Sequence, residues 1–165
     1  MLCGMDDLTN EDELWPRMRP VAHDRRVVEP VFGAYQAVRR RLELAASHHG
    51  LGATEAILLD AIRRDPGCPP WGIRRRLALH RSTLSSALDR LERDGHIERM
   101  PNGFTGQRFE INLTRSGRTA ADLAAFAVHS VEEEIAGYTS PEEREAASAV
   151  FEACLAVDRP DRSVG

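Results

Sequence analysis

The chain has 165 residues, 42% hydrophobic and 29% charged, the make-up of an ordinary globular protein sized for one domain or a small domain with helical extensions. No apolar run approaches the roughly 18 residues of a membrane span. The acidic start, Met1 to Asp12, lacks the basic and then apolar order of a secretory signal, so the expected compartment is the cytoplasm. Cys3, Cys68 and Cys154 are an odd set without metal-type spacing, which argues against a disulfide scaffold and a structural zinc site.

The net charge of −4 is unevenly spread. Residues 63–118 hold twelve arginines and six acids, whereas residues 119–165 hold three arginines and ten acids. All 22 basic residues are arginine, a bias expected of a GC-rich bacterial genome. Its location is more informative than its type. A basic middle in an acidic chain points to a local surface for a polyanion.

Residues 1–22 read as a loosely ordered acidic lead containing Pro16 and Pro20, without a periodic apolar face. Residues 23–52 carry a long helix, about Val27 to His48, with Pro30 in its first turn. Val31, Tyr35, Val38, Leu42 and Ala45 or Ala46 recur at helical spacing, and Gly50 and Gly52 stop it. A second helix is expected over Thr54 to Arg64, capped by Thr54, with Ile57, Leu58, Ala61 and Ile62 as its buried face. Asp65-Pro66-Gly67-Cys68-Pro69-Pro70 is a turn cluster.

Two short helices follow, Trp71 to Leu77 and Arg81 to Arg93, joined by Ala78-Leu79-His80. In the second, Leu84, Ala87, Leu88 and Leu91 share one face, which leaves Ser82, Ser86, Asp89 and Arg93 opposite, flanked by Ser85 and Arg90. Gly95 suits a left-handed cap. His80 stands where Ser, Thr, Asp or Asn is preferred, so it either weakens this helix slightly or contacts phosphate itself. His96 to Met100 and the alternating Phe109 to Leu113 read as strands around a turn containing Asn102-Gly103. Two helices close the chain. One is expected over Ser116 to Ala136. The other starts at Ser140-Pro141-Glu142-Glu143 in a capping box and presents Ala147, Val150, Phe151, Cys154 and Leu155 as an apolar face, with Cys154 in the core.

Helix, turn, helix and hairpin in that order make a winged helix-turn-helix. The fold class is therefore mostly α (α+β): a winged domain over 53–115, an N-terminal dimerisation helix in 23–52, C-terminal dimerisation helices over 116–157, and a tail over 158–165. The second short helix is the reader. Small hydroxyls approach base edges and phosphates closely, and arginine makes bidentate contacts to guanine. The DNA-contacting set is Arg81, Ser82, Thr83, Ser85, Ser86, Arg90, Arg99 and Arg108, the last two on the hairpin, where arginine suits backbone phosphate or a narrow minor groove.

The run Leu77 to Ile97, LALHRSTLSSALDRLERDGHI, resembles the reader helix of MarR-type regulators. Phe109 to Gly117, FEINLTRSG, resembles their second wing strand and following helix start. The resemblance implies a homodimer held by the first and last helices and bound to a palindromic operator. It implies repression in most members, relieved by a small aromatic effector or by thiol oxidation. Phe32, Tyr35 and Trp71 could line such an effector cleft, and all three could equally be core. One departure stands out. The family's wing usually carries an aspartate that braces arginine, where this chain reads Thr105-Gly106-Gln107 before Arg108, so a weaker wing contribution follows.

Other functions find less support. No Ser-His-Asp order, phosphate loop or carboxylate pair marks an enzyme, and nothing calls for a cofactor. His48-His49 lacks further ligands at workable spacing, so no metal site is expected. Two alternatives to a DNA-binding regulator remain. One is a protein-interaction winged helix using the acidic C-terminal helices. The other is a thiol-based sensor centred on Cys68, whose neighbours Arg63 and Arg64 would favour a thiolate.

Overall fold

In the computed structural model the described residues are 26–101 and 109–157, and among them the periodicities become six helices and one hairpin. These are α1 (Val28–Ser47), α2 (Ala53–Arg64), α3 (Pro70–Leu77), α4 (Arg81–Arg93), β1 (Ile97–Pro101), β2 (Phe109–Leu113), α5 (Arg115–Ala136) and α6 (Pro141–Val157). The chain divides into two compact units, residues 1–35 and 36–165. In the first, the described residues form the start of α1, and Val28, Phe32 and Tyr35 are exposed. The acidic lead expected over 1–22 and the tail over 158–165 lie outside the described residues.

The core belongs to the second unit and is built around α2. Ala53, Ala56, Leu58, Leu59, Ala61 and Ile62 are all buried, so α2 is covered on nearly every side. The single stripe expected from the sequence was too narrow, and Ile57, placed in it, is only half-buried. Helix α5 packs on α2 through Ala120, Ala121, Ala124, Ala127 and Val131. These are mostly alanines, which let two helix backbones come close. Ile73 of α3, Leu84, Ala87, Leu88 and Leu91 of α4, and Ile97 and Ile111 of the strands complete the cluster. Each fully buried Leu or Ile contributes about 1.5–3 kcal/mol over its exposed state.

Helix α6 adds nothing of this kind, because none of its residues is buried. The apolar face expected there is present but uncovered within one chain, and Cys154, expected in the core, is exposed. The helix still starts as its sequence requires. Ser140 N–H donates to Glu143 Oε2 at 2.8 Å and Glu143 N–H donates to Ser140 Oγ at 3.2 Å, a capping box.

Two other helix starts differ from expectation. Thr54 does not cap α2. The cap residue is Gly52, and the Ala53 N–H is satisfied by Glu43 Oε2 of α1 at 2.8 Å. A side chain from another helix can do this work because a free N–H needs only an acceptor, from wherever it comes. Likewise α5 begins one residue early, at Arg115, with Thr114 as its cap accepting from Gly117 N–H at 2.9 Å.

Strands β1 and β2 pair antiparallel, with Ile97 opposite Leu113, Arg99 opposite Ile111 and Pro101 opposite Phe109. The turn at Asn102-Gly103 and Arg108 lie outside the described residues. The base of the hairpin is fixed to α5. Thr114 Oγ1 and Ser116 Oγ donate to the Gly95 carbonyl at 2.6 and 2.7 Å, and Thr114 N–H donates to the His96 carbonyl at 3.1 Å. Gly117 passes so close that a Cβ there would lie 1.7 Å from the His96 carbonyl oxygen.

Candidate nucleic-acid interface

The helix-turn-helix is formed by α3 and α4. Helix α3 starts with Pro70 in its first turn, where a missing N–H costs nothing. It ends at Ala78, which adopts the left-handed conformation at φ 48 and ψ 37 and donates its N–H to the Arg74 carbonyl. Left-handed backbone costs an alanine roughly 1–2 kcal/mol, so packing on either side holds the turn. His80 then caps α4. Its Nδ1 accepts from Ser82 N–H at 3.4 Å and lies 2.7 Å from Ser82 Oγ. The histidine therefore does the work of the Ser or Asp preferred at this position.

Burial of Leu84, Ala87, Leu88 and Leu91 fixes the rotation of α4. Arg81, Ser82, Thr83, Ser85, Ser86, Asp89 and Arg90 are consequently exposed. Arg81, Thr83, Ser85 and Ser86 have no side-chain hydrogen bond or ion pair among the described residues, while Ser82 meets only its cap. These five side chains, all named from the sequence, form one solvent-facing surface at the N-terminal part of the helix. The free N–H groups and positive dipole end there favour a phosphate.

Other arginines in the sequence-derived set are committed within the fold. Arg90 Nη1 lies 2.8 Å from Glu55 Oε1, a carboxylate buried on α2. Arg99 Nη2 donates to Asp89 Oδ1 at 2.5 Å and its Nη1 lies 3.2 Å from Glu92 Oε2. Asp89, on the face opposite the leucines, thus holds Arg99. Arg108 lies outside the described residues.

The sequence reading also passed over several groups. Glu55 and Asp60 are buried acids whose partners are arginines: Arg90 for the first, Arg63 and Arg64 for the second. Their signal was weak, because an acid in an amphipathic helix usually faces water. The run Arg74-Arg75-Arg76 at the end of α3 gave a stronger signal. Arg76 Nη2 donates to the Ala61 carbonyl at 3.0 Å, bracing α3 on α2. Arg74 and Arg75 are exposed, and among the described residues neither side chain is hydrogen-bonded or ion-paired.

Trp71 is about half exposed, so it is not core. It lines an open cleft of about 400 Å³ with Pro69, Pro70, Arg81, Leu84, Ser85, Leu88, Arg99 and Phe109. Phe32 and Tyr35, grouped with Trp71 from sequence, are exposed on α1 and are not among these lining residues. Cys68 is buried, and burial, reinforced by Asp65, pushes its thiol pKa up against the opposing pull of Arg76. The thiolate expected from Arg63 and Arg64 is therefore not favoured, since both arginines turn to Asp60.

A reader helix presented by a helix-turn-helix, backed by a hairpin and closed by a return helix, defines a winged helix-turn-helix protein. The model of the MarR family matches residues 49–108, the winged segment of the chain. No curated protein sequence matches the chain. Solved structures do. A mutant MarR from E. coli complexed with operator DNA is 21% identical with a TM-score of 0.67, covering 77% of this chain and 91% of its own. The S. aureus MepR–DNA complex is 19% identical with a TM-score of 0.69, covering 79% and 96%. A Mycobacterium tuberculosis MarR family protein in complex with salicylic acid is 19% identical with a TM-score of 0.61, covering 81% and 99%.

Proposed function

We propose that the chain is a sequence-specific double-stranded DNA-binding transcriptional regulator, acting in the cytoplasm as a homodimeric repressor on a palindromic operator. The observation that carries this reading is the solvent-facing surface of Arg81, Ser82, Thr83, Ser85 and Ser86 on a helix whose rotation is fixed by its buried leucines. Among the described residues only Ser82, through its cap His80, has a side-chain partner, and the five suit a major groove. The operator DNA bound by the E. coli MarR mutant and the DNA bound by S. aureus MepR support the choice of partner.

The homodimer rests on uncovered apolar surface. Val28, Phe32, Tyr35 and Val38 of α1 are exposed, as are Phe126 and Ile135 of α5 and Val150, Phe151 and Val157 of α6. Groups of this size are normally covered in a stable protein, and a second copy covers them with two-fold symmetry. Residues 23–52 and 116–157 then act as the dimerisation segments. Two reader helices would stand about 34 Å apart on successive major grooves.

Effector relief is the finer part of the proposal. The salicylic acid bound by one structural relative suggests a small aromatic acid. The Trp71 cleft, with Arg81 on its wall, suits that chemistry. The test is selection of duplex DNA from a random pool, followed by gel shift on the selected site with sedimentation of the free protein. A dimer bound to an inverted repeat is the expected result. A monomer, or a chain that enriches no sequence, would refute the proposal.

A further inference from the structure

Arg99 was placed among the DNA contacts because it is an arginine on the first wing strand. Its surroundings describe a different part. The guanidinium meets two carboxylates of α4, Asp89 at 2.5 Å and Glu92 at 3.2 Å, which lie three residues apart on one helix face. Its carbon sits 5.3 Å from the centre of the Phe109 ring on β2, within cation–π range. Its Nε is buried and has no hydrogen-bond partner among the described residues. One terminal nitrogen is committed to Asp89 and the other to Glu92, while Nε is turned inward. The two carboxylates would repel a phosphate, and the side chain is about three-quarters covered.

We propose that Arg99 is a positioning residue that ties the reader helix to both strands of the wing. One side chain rooted on β1 touches α4 and β2, so it sets the angle between the two elements that face DNA. This inference rests on the regulator reading for its DNA consequences, but the tie itself is a property of the free protein. Asp89 and Glu92 become its anchors. Two acids on a DNA-reading helix thereby have a use.

A contact and a tie respond oppositely to loss of the anchor. If Arg99 bound phosphate, Asp89→Asn would free it and strengthen binding to all DNA. Arg99→Gln would in turn lower the salt slope by about one per subunit. If Arg99 is a tie, either substitution loosens the same coupling. Each should weaken operator binding by on the order of tenfold, and the double variant should be no weaker than the weaker single, because Asp89 acts only through Arg99. The salt slope should remain that of the wild type.

The measurements are operator and scrambled-site affinities at several salt concentrations for wild type, Arg99→Gln, Asp89→Asn and the double variant. Amide hydrogen exchange of the free proteins accompanies them, read on β1 and β2 against α2. Faster exchange confined to the strands supports the tie. Unchanged strand exchange overturns it, as do additive losses in the double variant, a reduced salt slope for Arg99→Gln, or tighter binding by Asp89→Asn. A wild-type chain that enriches no duplex refutes the regulator reading instead, and strand exchange alone then decides for or against the tie.

Discussion

Gly117→Ala tests how the wing is joined to the rest of the molecule. Gly117 lies in the first turn of α5, and its added Cβ would stand 1.7 Å from the His96 carbonyl oxygen, 2.7 Å from its carbon and 3.1 Å from its Cα. These are backbone atoms, so no side chain can swing aside. An ordinary carbon–oxygen contact is longer than 3 Å, so helix and strand must separate by more than an ångström. That movement stretches the Thr114 N–H bond to the His96 carbonyl and the two hydroxyl bonds to the Gly95 carbonyl, which all sit in the same turn. Overpacking costs about 1–3 kcal/mol, and each hydrogen bond lost adds about 1 kcal/mol. A total loss of about 3 kcal/mol corresponds to a melting point lowered by roughly 6–12 °C in a chain of this size. Gly95→Ala is the comparison. Gly95 has φ +72 and nothing within 4 Å of the added Cβ, so its cost is conformational alone, about 1–2 kcal/mol. Calorimetry or thermal circular dichroism on the two variants checks the order. A Gly117→Ala protein as stable as wild type, or more stable than Gly95→Ala, would refute the argument that close backbone approach governs this junction.

Arg90→Ala leaves the buried Glu55 carboxylate without its ion-pair partner. It should cost about 1–2 kcal/mol, discounted because Arg90 is itself more than half exposed, and Glu55→Gln should restore part of that loss in thermal melts. Arg81→Ala should weaken binding to every duplex and lower the salt slope by about one per subunit, as read by titration at several salt concentrations. Ser86→Ala should change which sequences are enriched from a random pool more than it changes overall affinity. Cys68 is buried with its pKa raised, so its contribution to stability is complete below the ordinary thiol pKa of about 8.5 and is lost as pH rises through the higher folded value. Cys68→Ala should flatten that alkaline decline in pH-dependent melts. In a thiol-labelling assay at neutral pH the exposed Cys154 of a monomer should react well before Cys68.

Local features were legible in the sequence, and partnerships were not. The reader helix was read to the residue, Arg81 to Arg93, because its leucines repeat at helical spacing and Gly95 ends it. The hairpin strands followed from alternation and turn chemistry. Helix α2 was misjudged because periodicity registers contrast between faces, and a helix covered nearly all round has little contrast. Its start was misassigned to Thr54 because the actual acceptor, Glu43, comes from α1, ten residues away and beyond any capping motif. Cys154 was placed in the core because an apolar face signals burial without saying whether the covering surface belongs to the same chain. The roles of Arg90 and Arg99 depend on acids brought to them by folding. An arginine's spacing alone carries no record of its partner.

That last point changes what the basic segment means. Residues 63–118 carry twelve arginines, yet the fold occupies many of them. Arg63 and Arg64 serve Asp60, Arg76 and Arg118 serve the Ala61 and Leu113 carbonyls, Arg90 serves Glu55, and Arg99 serves Asp89 and Glu92. Among the described residues of the segment, Arg74, Arg75, Arg81, Arg93 and Arg115 are left with neither a side-chain hydrogen bond nor an ion pair. Affinity for DNA in this protein should therefore follow these five arginines and not the segment's net charge. The prediction is sharp because the two descriptions disagree about particular substitutions. Removing Arg63 or Arg64 changes the segment's charge as much as removing Arg74 or Arg75 does. If net charge governed binding, all four alanine variants would shift the salt dependence alike. If accessible guanidinium groups govern it, Arg74→Ala and Arg75→Ala should lower the salt slope, and Arg63→Ala and Arg64→Ala should leave it unchanged while reducing stability through the buried Asp60. Equal slopes across the four would show that the ion pairs seen in the fold do not remove arginines from the DNA-binding surface.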